Sequence, residues 1–256
     1  MSHDAADAGA ERWARRDRGR PLIIGHRGAS AREVENTVPA FVQAAAEGAD
    51  GVELDVFLSA SGEVVVFHDD DLQRLAGLPH QVRTMSLHAL RAVALPRGAR
   101  IPTLDEVFEA CGPSLLVNVE IKSTGATDVS LPALVAGVSE VVDRRGAAAR
   151  VLVSSFDPRA VALWQERRTD VPAALVFEDG VAPVLGKALA LPFLKPKAVH
   201  PEAVLCRPDV VAAWHAAGYM VNTWTVDDPN RIRELAMAGV DGIITNDPAG
   251  ALRAFA

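Results

Sequence analysis

LIIGHRGAS (residues 22–30) is the stretch that decides how the rest of this chain can fold. It is an apolar run that ends in Gly-His-Arg-Gly, and two later runs share its design. GVELDVFL (51–58) carries two acids at alternate positions, and VVVFHDDDL (64–72) contains His-Asp after its apolar part. Polar groups are costly to hold at the ends of buried strands, and strand ends are where α/β barrels carry their functional sites. The three stretches therefore predict a single site built from strand ends.

Strand-like and helix-like segments alternate regularly after residue 100. With 22–28 and 51–58, the predicted strands are Leu115–Lys122, Val151–Ser155, Ala173–Phe177, Ala198–His200, Tyr219–Thr225 and Gly242–Thr245. Helical spacing follows most of them, for example at Leu131–Arg145 and Pro229–Ala238. Eight such units in 256 residues predict an α/β protein, a (β/α)₈ TIM barrel over residues 21–256. The irregular stretch at about 59–100 is predicted to be a small insertion after the second strand.

The second strand is predicted to form a hairpin with the run that follows it. Too few residues join 51–58 to 64–68 for a parallel crossover, so the pair must be antiparallel. A turn centred on residues 61 and 62 places residue 55 opposite residue 68. Glu53 shares a face with Asp55, because side chains alternate along a strand. Local geometry thus predicts that Glu53, Asp55 and His68 lie together.

The composition is that of a globular protein, with 49% hydrophobic and 23% charged residues. A net charge of −7 argues against nucleic acid or an anionic membrane as a partner, so an anionic substrate needs local positive charge or a bound cation. No apolar run approaches the ~18 residues of a membrane-spanning helix, so no stable membrane anchor is expected. Residues 1–20 lack the apolar core of a secretion signal and are predicted to form a mostly disordered tail, with a short helix around Glu11–Arg16 as an open alternative. Two cysteines without a CxxC pair favour a reducing, cytoplasmic location.

Three acids follow neighbouring predicted strands: Glu53 and Asp55 on the second, Glu120 on the third. Carboxylates this close repel one another unless they are protonated or share a cation. A salt bridge or a helix cap explains any one of them, but the three together point to a metal site. Oxygen ligands favour Mg²⁺ or Ca²⁺, and the nearby histidines leave zinc or manganese as less suited alternatives.

Histidines and cations flank these acids. His26 and His68 are predicted to be a general acid/base pair, because histidine titrates near neutral pH. Arg27 and Lys122 place positive charge beside the carboxylates, and with a metal ion they would form a clamp suited to a phosphoryl group. Compensation of the acidic charge is an alternative role for both cations, and the two roles are compatible.

Three further residues each have two interpretations. His200 ends a strand and either lines the mouth of the barrel or is a structural hydrogen-bonding residue. Trp224 is either a wall for an apolar or choline-like group or part of the core. Asn36 stands at a helix start, where a simple cap is the alternative to a role in the site. Of these, His200 and Trp224 are assigned to the predicted pocket.

At these residues the sequence resembles the glycerophosphodiester phosphodiesterase family, over about residues 22–248. The matching motifs are GHRG (25–28), ENT (35–37), GVELDV (51–56), VVFHD (65–69), IPTLDEVF (101–108), NVEIK (118–122), SSF (154–156), NTWTV (222–226) and GVDGIITNDP (239–248). Two positions depart from the family pattern. Val34 stands where the family usually has Pro, and LQRLAG (72–77) where it often has a Thr-Gly pair. The predicted metal and histidine positions are intact, so the departures concern substrate choice.

The resemblance implies a TIM barrel with a small insertion after the second strand, and metal-dependent hydrolysis of a glycerophosphodiester to glycerol 3-phosphate and an alcohol. The implied roles are acid/base catalysis for His26 and His68, binding of a divalent metal for Glu53, Asp55 and Glu120, and phosphate contact for Arg27 and Lys122. His26 is favoured as the base and His68 as the acid. The alcohol released and the oligomeric state stay open.

Two alternative functions stay open. The first is the same chemistry on a lipid, as in a lysophospholipase D or a cyclising phospholipase, although no basic amphipathic stretch favours a membrane substrate. The second is a barrel that binds a phosphodiester without cleaving it. The intact histidine pair argues against that second alternative.

Overall fold

The computed structural model describes residues 12–14, 19–125, 128–179 and 190–256. Eight parallel strands form the barrel: β1 (Leu22–His26), β2 (Gly51–Leu58), β6 (Leu116–Ile121), β7 (Val151–Ser155), β8 (Ala173–Phe177), β9 (Ala198–Pro201), β10 (Met220–Thr223) and β11 (Gly242–Thr245). Each strand pairs with the next along the chain, and β1 pairs with both β2 and β11, which closes the sheet. The predicted TIM barrel is confirmed. Its strands are runs of mainly apolar residues because both faces of a barrel strand are buried.

Helices cover the outside of the barrel. They are α1 (Val38–Ala46), α4 (Leu104–Ala110), α5 (Leu131–Arg144), α6 (Pro158–Arg167), α7 (Pro208–Ala216), α8 (Pro229–Ala238) and α9 (Pro248–Arg253), and residues 190–194 are also helical. Three of them begin with an Asp-Pro pair whose carboxylate accepts a backbone N–H in the first turn, at Asp157, Asp228 and Asp247. The cap at Asp228 explains why the predicted start of the helix Pro229–Ala238 agrees with the structure, since Asp at the N-cap and Pro at the first helical position both favour initiation.

The insertion after the second strand has its own elements. They are β3 (Val64–Val66), β4 (Asp71–Leu72), α2 (Gln73–Ala76), β5 (Leu78–Gln81) and α3 (Leu87–Arg91). A separate apolar cluster, which includes Phe57, Phe67 and Leu90, holds them against the barrel. The prediction of an insertion at this place is confirmed. None of the helices in the described part of the chain is long and apolar enough to cross a membrane.

The predicted hairpin register is wrong by one residue. Val56 pairs with Val66 and Leu58 with Val64, so residue 67, not residue 68, lies opposite Asp55. The cause is a three-residue loop where a two-residue loop was expected. The N–H of Ser59 donates to the carbonyl of Glu63, and Gly62 closes the loop with φ of 96°. His68 therefore follows the end of β3 as part of a loop.

The predicted disordered tail at residues 1–20 lies mostly outside the described residues, but residues 12–14 do not fit that prediction. Trp13 is fully buried and packs with Leu22, Leu116 and Leu152. Those leucines lie at or near the beginnings of β1, β6 and β7, so the indole covers the end of the barrel opposite the site. Burial of a large aromatic surface explains this order, and the charged residues around Trp13 concealed it in the sequence.

Candidate active site

The nine residues predicted for the site line one cavity of about 210 Å³ at the carboxyl ends of the strands. They are His26, Arg27, Glu53, Asp55, His68, Glu120, Lys122, His200 and Trp224. Strand register explains why they meet. Asp55 lies beside Glu120 across the β2–β6 pair, and His26 lies beside Glu53 across the β1–β2 pair. Inward-facing side chains at alternate positions then converge in the mouth of the barrel.

The turn after β1 brings the backbone of Arg27 close to the acids. Arg27 has φ of 56°, and its N–H donates to Oε2 of Glu53 at 3.2 Å. Gly28 follows with φ of 86°, and a Cβ there would lie 2.6 Å from the backbone of Ala40 in α1. Glycine is therefore required for the close approach of the turn to the helix, which accounts for the Gly-His-Arg-Gly motif.

The three carboxylates form a compact cluster. Oxygens of Glu53, Asp55 and Glu120 all lie within 4.8 Å of one another, and two of the three residues are buried. Nζ of Lys122 lies 3.2 Å from Oδ1 of Asp55 and 3.0 Å from Oε1 of Glu120. Nε of Arg27 lies 3.5 Å from Oδ2 of Asp55.

The electrostatics of the cluster fit a bound cation. Burial and then the charges of Asp55 and Glu120 raise the pKa of Glu53 well above its ordinary value. Burial likewise raises the pKa of Glu120 to about 7, although Lys122 acts against it. Burial also disfavours the ionised form of Asp55, but Lys122 and other nearby cations outweigh it and lower that pKa. Ionisation of Glu53 and Glu120 is thus unfavourable without a cation beside them, and an all-oxygen donor set suits Mg²⁺ or Ca²⁺.

Of the two interpretations of Asn36, a helix cap and a role in the site, the structure supports the role in the site. It has φ of 57°, and its Nδ2 donates to Oδ2 of Asp55 at 2.8 Å. Thr37 occupies the cap position of α1, and its hydroxyl donates to the carbonyl of Val34 instead of capping the helix. Asn36 therefore orients an acid of the cluster, and only the loop conformation brings it there.

Each of the two histidines is oriented by a hydrogen bond at Nδ1. Nδ1 of His26 lies 2.8 Å from Oδ1 of Asn246, and the amide of Asn246 donates to Asp227 at 2.7 Å. Nδ1 of His68 lies 2.6 Å from Oδ1 of Asp69. Because both partner oxygens accept, the ring N–H is at Nδ1 in each case. Nε2 of His26 lies 4.0 Å from Oε2 of Glu53, and burial followed by the charge of Arg27 lowers the pKa of His26.

His200 and Trp224 lie on the opposite wall of the cavity. Burial lowers the pKa of His200 to about 3, and its Nε2 lies 3.0 Å from Nδ2 of Asn222. Trp224 donates from Nε1 to the carbonyl of His200 at 2.9 Å, and its ring meets Phe156 edge to face at 5.4 Å. His200 and Trp224 thus line the cavity, as predicted, and His200 is also hydrogen-bonded within the barrel.

The cavity includes residues that the sequence reading did not select, among them Asn118, Phe156 and Glu178. Asn118 lies two positions before Glu120 on the same face of β6, so strand alternation would have identified it. Phe156 and Glu178 follow the ends of β7 and β8, where strand-end position was a usable signal. Phe156 offers no reactive group, whereas Glu178 is a carboxylate at a strand end, the same signal that identifies Glu120.

Two oriented histidines at the mouth of the barrel can transfer protons, and two cations beside a buried acid cluster can bind a phosphate group. These are the groups that a hydrolase of phosphate esters needs. The sequence profile of the Glycerophosphoryl diester phosphodiesterase family matches residues 26–250. The chain belongs to this family and is an enzyme, a phosphodiesterase of glycerophosphodiesters.

Individual relatives agree with this assignment. A glycerophosphodiester phosphodiesterase of Caldanaerobacter subterraneus is 33% identical over 89% of this chain and 94% of its own length. The glycerophosphodiester phosphodiesterase structure from Thermotoga maritima has a TM-score of 0.76 and 30% identity, covering 91% of this chain and 97% of that one. A phosphodiesterase of Oleispira antarctica, solved with the product sn-glycerol-3-phosphate, has a TM-score of 0.82 and 25% identity, covering 92% and 97%.

Proposed function

We propose that this enzyme hydrolyses glycerophosphodiesters to glycerol 3-phosphate and an alcohol, with a divalent metal ion and two histidines. The observation that carries the proposal is the meeting of His26, His68 and the acid cluster in one cavity. The Oleispira antarctica relative binds sn-glycerol-3-phosphate as its product, which supports the same product here.

Glu53, Asp55 and Glu120 would hold the metal ion, Mg²⁺ or Ca²⁺, which supplies Lewis-acid stabilisation of charge on the phosphodiester oxygens. Arg27 and Lys122 lie against the same acids and would contact the phosphate. Their remaining N–H donors offer charge-assisted hydrogen bonds to the negatively charged oxygens of the transition state. The cluster therefore binds and orients the diester next to the histidines.

The two histidines have different partners, which supports different roles. His26 donates from Nδ1 to a neutral amide oxygen, which leaves a free electron pair at Nε2 and suits a base. His68 donates from Nδ1 to the carboxylate of Asp69, which orients its ring for the role of the acid. His26 would take the proton of the nucleophile, either water or the neighbouring glycerol hydroxyl, as its oxygen bonds to phosphorus. The bond to the alcohol oxygen then breaks, and His68 would protonate that oxygen. With water as the nucleophile the product is glycerol 3-phosphate, whereas attack by the glycerol hydroxyl gives a cyclic phosphate that a water molecule must then open to the same product.

Trp224 and His200 would form the wall for an apolar or choline-like group of the substrate. The buried, unprotonated His200 places no positive charge beside the phosphate clamp. A lipid substrate and a barrel that binds without cleaving are not favoured alternatives. Cytoplasmic location is likewise a proposal, and it rests on two unpaired, buried cysteines, Cys111 and Cys206.

The test is incubation of the purified protein with glycerophosphocholine, with Mg²⁺ or Ca²⁺ and with EDTA, while glycerol 3-phosphate is measured. Product that depends on metal is expected. His26→Ala and His68→Ala should abolish turnover in a folded protein, whereas His80→Ala, on the exposed surface of the insertion, should leave it unchanged. Near wild-type activity in either of the first two variants would refute the acid/base pair.

Glu53→Gln should lose activity through loss of the metal ion. Elemental analysis of the dialysed protein measures this directly. Unchanged metal content in Glu53→Gln would contradict the assignment of the acid cluster as the metal site.

A further inference from the structure

Arg74, in α2 of the insertion, spans two carboxylates with all three of its nitrogens. Nε donates to Oδ2 of Asp69 at 2.7 Å. The two terminal nitrogens donate to Glu35, to Oε2 at 2.8 Å and to Oε1 at 2.7 Å. The carboxylates belong to different segments, since Glu35 precedes α1 and Asp69 follows β3. One side chain therefore ties the insertion to the first loop of the barrel.

Each of these carboxylates also holds a side chain of the active site. Oδ1 of Asp69 accepts from Nδ1 of His68 at 2.6 Å. Oε1 of Glu35, which Arg74 contacts, also accepts from a terminal nitrogen of Arg27 at 2.7 Å. Arg74 is thus one contact away from the proposed acid and one contact away from a proposed phosphate ligand. It has no contact with the cavity itself.

We propose that Arg74 is a positioning residue that sets the orientation of His68 through Asp69 and of Arg27 through Glu35. The insertion then forms part of the catalytic apparatus and is not only a rim of the pocket. The proposal rests on the function proposed above, because it needs His68 and Arg27 to act on the substrate.

The geometry of the contact argues for positioning over simple stabilisation. Arg74 is 47% exposed, and ion pairs at such positions add little to the free energy of unfolding. A guanidinium is, however, a rigid planar fork, so it fixes the two carboxylates in one relative orientation. A lysine ammonium carries equal charge on a flexible chain and cannot reproduce three contacts in one plane. The substitution Arg74→Lys therefore separates the effect of the positive charge from the effect of the planar guanidinium.

The contact of Arg74 with Asp69 (the Asp69 arm) and its contact with Glu35 (the Glu35 arm) affect different kinetic constants. Loss of the Asp69 arm releases the His68 ring, which lowers kcat because proton transfer to the alcohol needs a fixed ring. Loss of the Glu35 arm releases the Arg27 guanidinium, which raises KM and the inhibition constant of inorganic phosphate. Removal of Arg74 should do both. A side chain that only stabilised the fold would change neither constant in the folded protein.

The experiment compares Arg74→Ala, Arg74→Lys and the control Arg91→Ala on glycerophosphocholine. Arg91 is matched because it is 50% exposed, lies in α3 of the insertion and pairs with Glu106 of the barrel at 2.6 Å. Arg74→Ala should lower kcat about 10- to 100-fold, the range expected when a group near the reacting atoms is misplaced by up to 1 Å. Arg74→Lys should keep the Tm but recover little of kcat, and Arg91→Ala should keep kcat and KM.

A double variant tests whether Arg74 acts on His68 through Asp69. Arg74→Ala combined with Asp69→Asn should lose no more kcat than the larger single loss, because both variants break the contact between Arg74 and Asp69. Wild-type kcat and KM in Arg74→Lys, or strictly multiplicative losses in the double variant, would overturn the proposal. His68→Ala measured alongside separates the two hypotheses. An active His68→Ala refutes the proposed function, whereas an inactive His68→Ala with fully active Arg74 variants refutes only the role of Arg74.

Discussion

Glu120 provides the sharpest test of the acid cluster, because its ionisation at alkaline pH must oppose folding of the metal-free protein. Burial raises its pKa from 4.5 to about 7. A group with a raised pKa in the folded state stabilises that state below its ordinary pKa, and this stabilisation is lost as pH rises through the folded value. At about 1.4 kcal/mol per pKa unit, Glu120 alone accounts for about 3 kcal/mol between acid and alkaline conditions.

The variant Glu120→Gln removes this ionisation and keeps a side chain that can accept from Lys122. Urea denaturation in EDTA, followed by tryptophan fluorescence, gives the free energy of unfolding of both proteins from pH 5 to pH 8. Relative to wild type, Glu120→Gln should gain about 2–3 kcal/mol over this range, which for a domain of this size is a Tm difference of roughly 4–12 °C.

Addition of metal ions should reverse the loss of stability that EDTA and alkaline pH cause. With saturating Mg²⁺ or Ca²⁺ at pH 8, the wild type should regain stability that Glu120→Gln does not, because a ligand that binds the folded state increases the free energy of unfolding. A difference between wild type and Glu120→Gln that is constant from pH 5 to pH 8 in EDTA would refute the electrostatic account of the cluster.

Three further predictions concern residues outside the reacting groups. Trp13→Ala should lower the free energy of unfolding by about 3 kcal/mol while kcat stays unchanged, since burial of an indole at about 25 cal/mol/Å² outweighs its unpaired N–H. Calorimetry measures this, and an unchanged Tm would mean that the indole does not cover the barrel. Asn36→Ala should weaken metal binding about 10- to 100-fold by releasing Asp55, as read by calcium titration, and unaltered affinity would contradict it. Asn246→Ala should lower kcat up to 10²-fold by freeing the His26 ring, with a normal Tm; full activity would show that this hydrogen bond is dispensable.

Several features of the site were accessible before the structure because they depend on one strand at a time. Glu53 and Asp55 share a face by the alternation of side chains, and the ends of parallel strands lie at one mouth. The barrel fold could be predicted in the same way, because each strand–helix unit is recognisable from its own stretch of sequence. The hairpin register was not accessible, because the choice between a two-residue and a three-residue loop depends on how Ser59 and Glu63 pair.

The sequence by itself was sufficient to predict the barrel, the family and the nine residues that meet in the cavity, since each follows from a short motif or a local period. Only the tertiary structure decided how those residues are held. His26 and its partner Asn246 are 220 positions apart, and Arg74 reaches Glu35 across 39 positions. Trp13 lies in a stretch whose composition indicates disorder, yet it is buried in the barrel. Such contacts depend on barrel closure and on loop conformations with positive φ, as at Asn36, and no local pattern of residues encodes them.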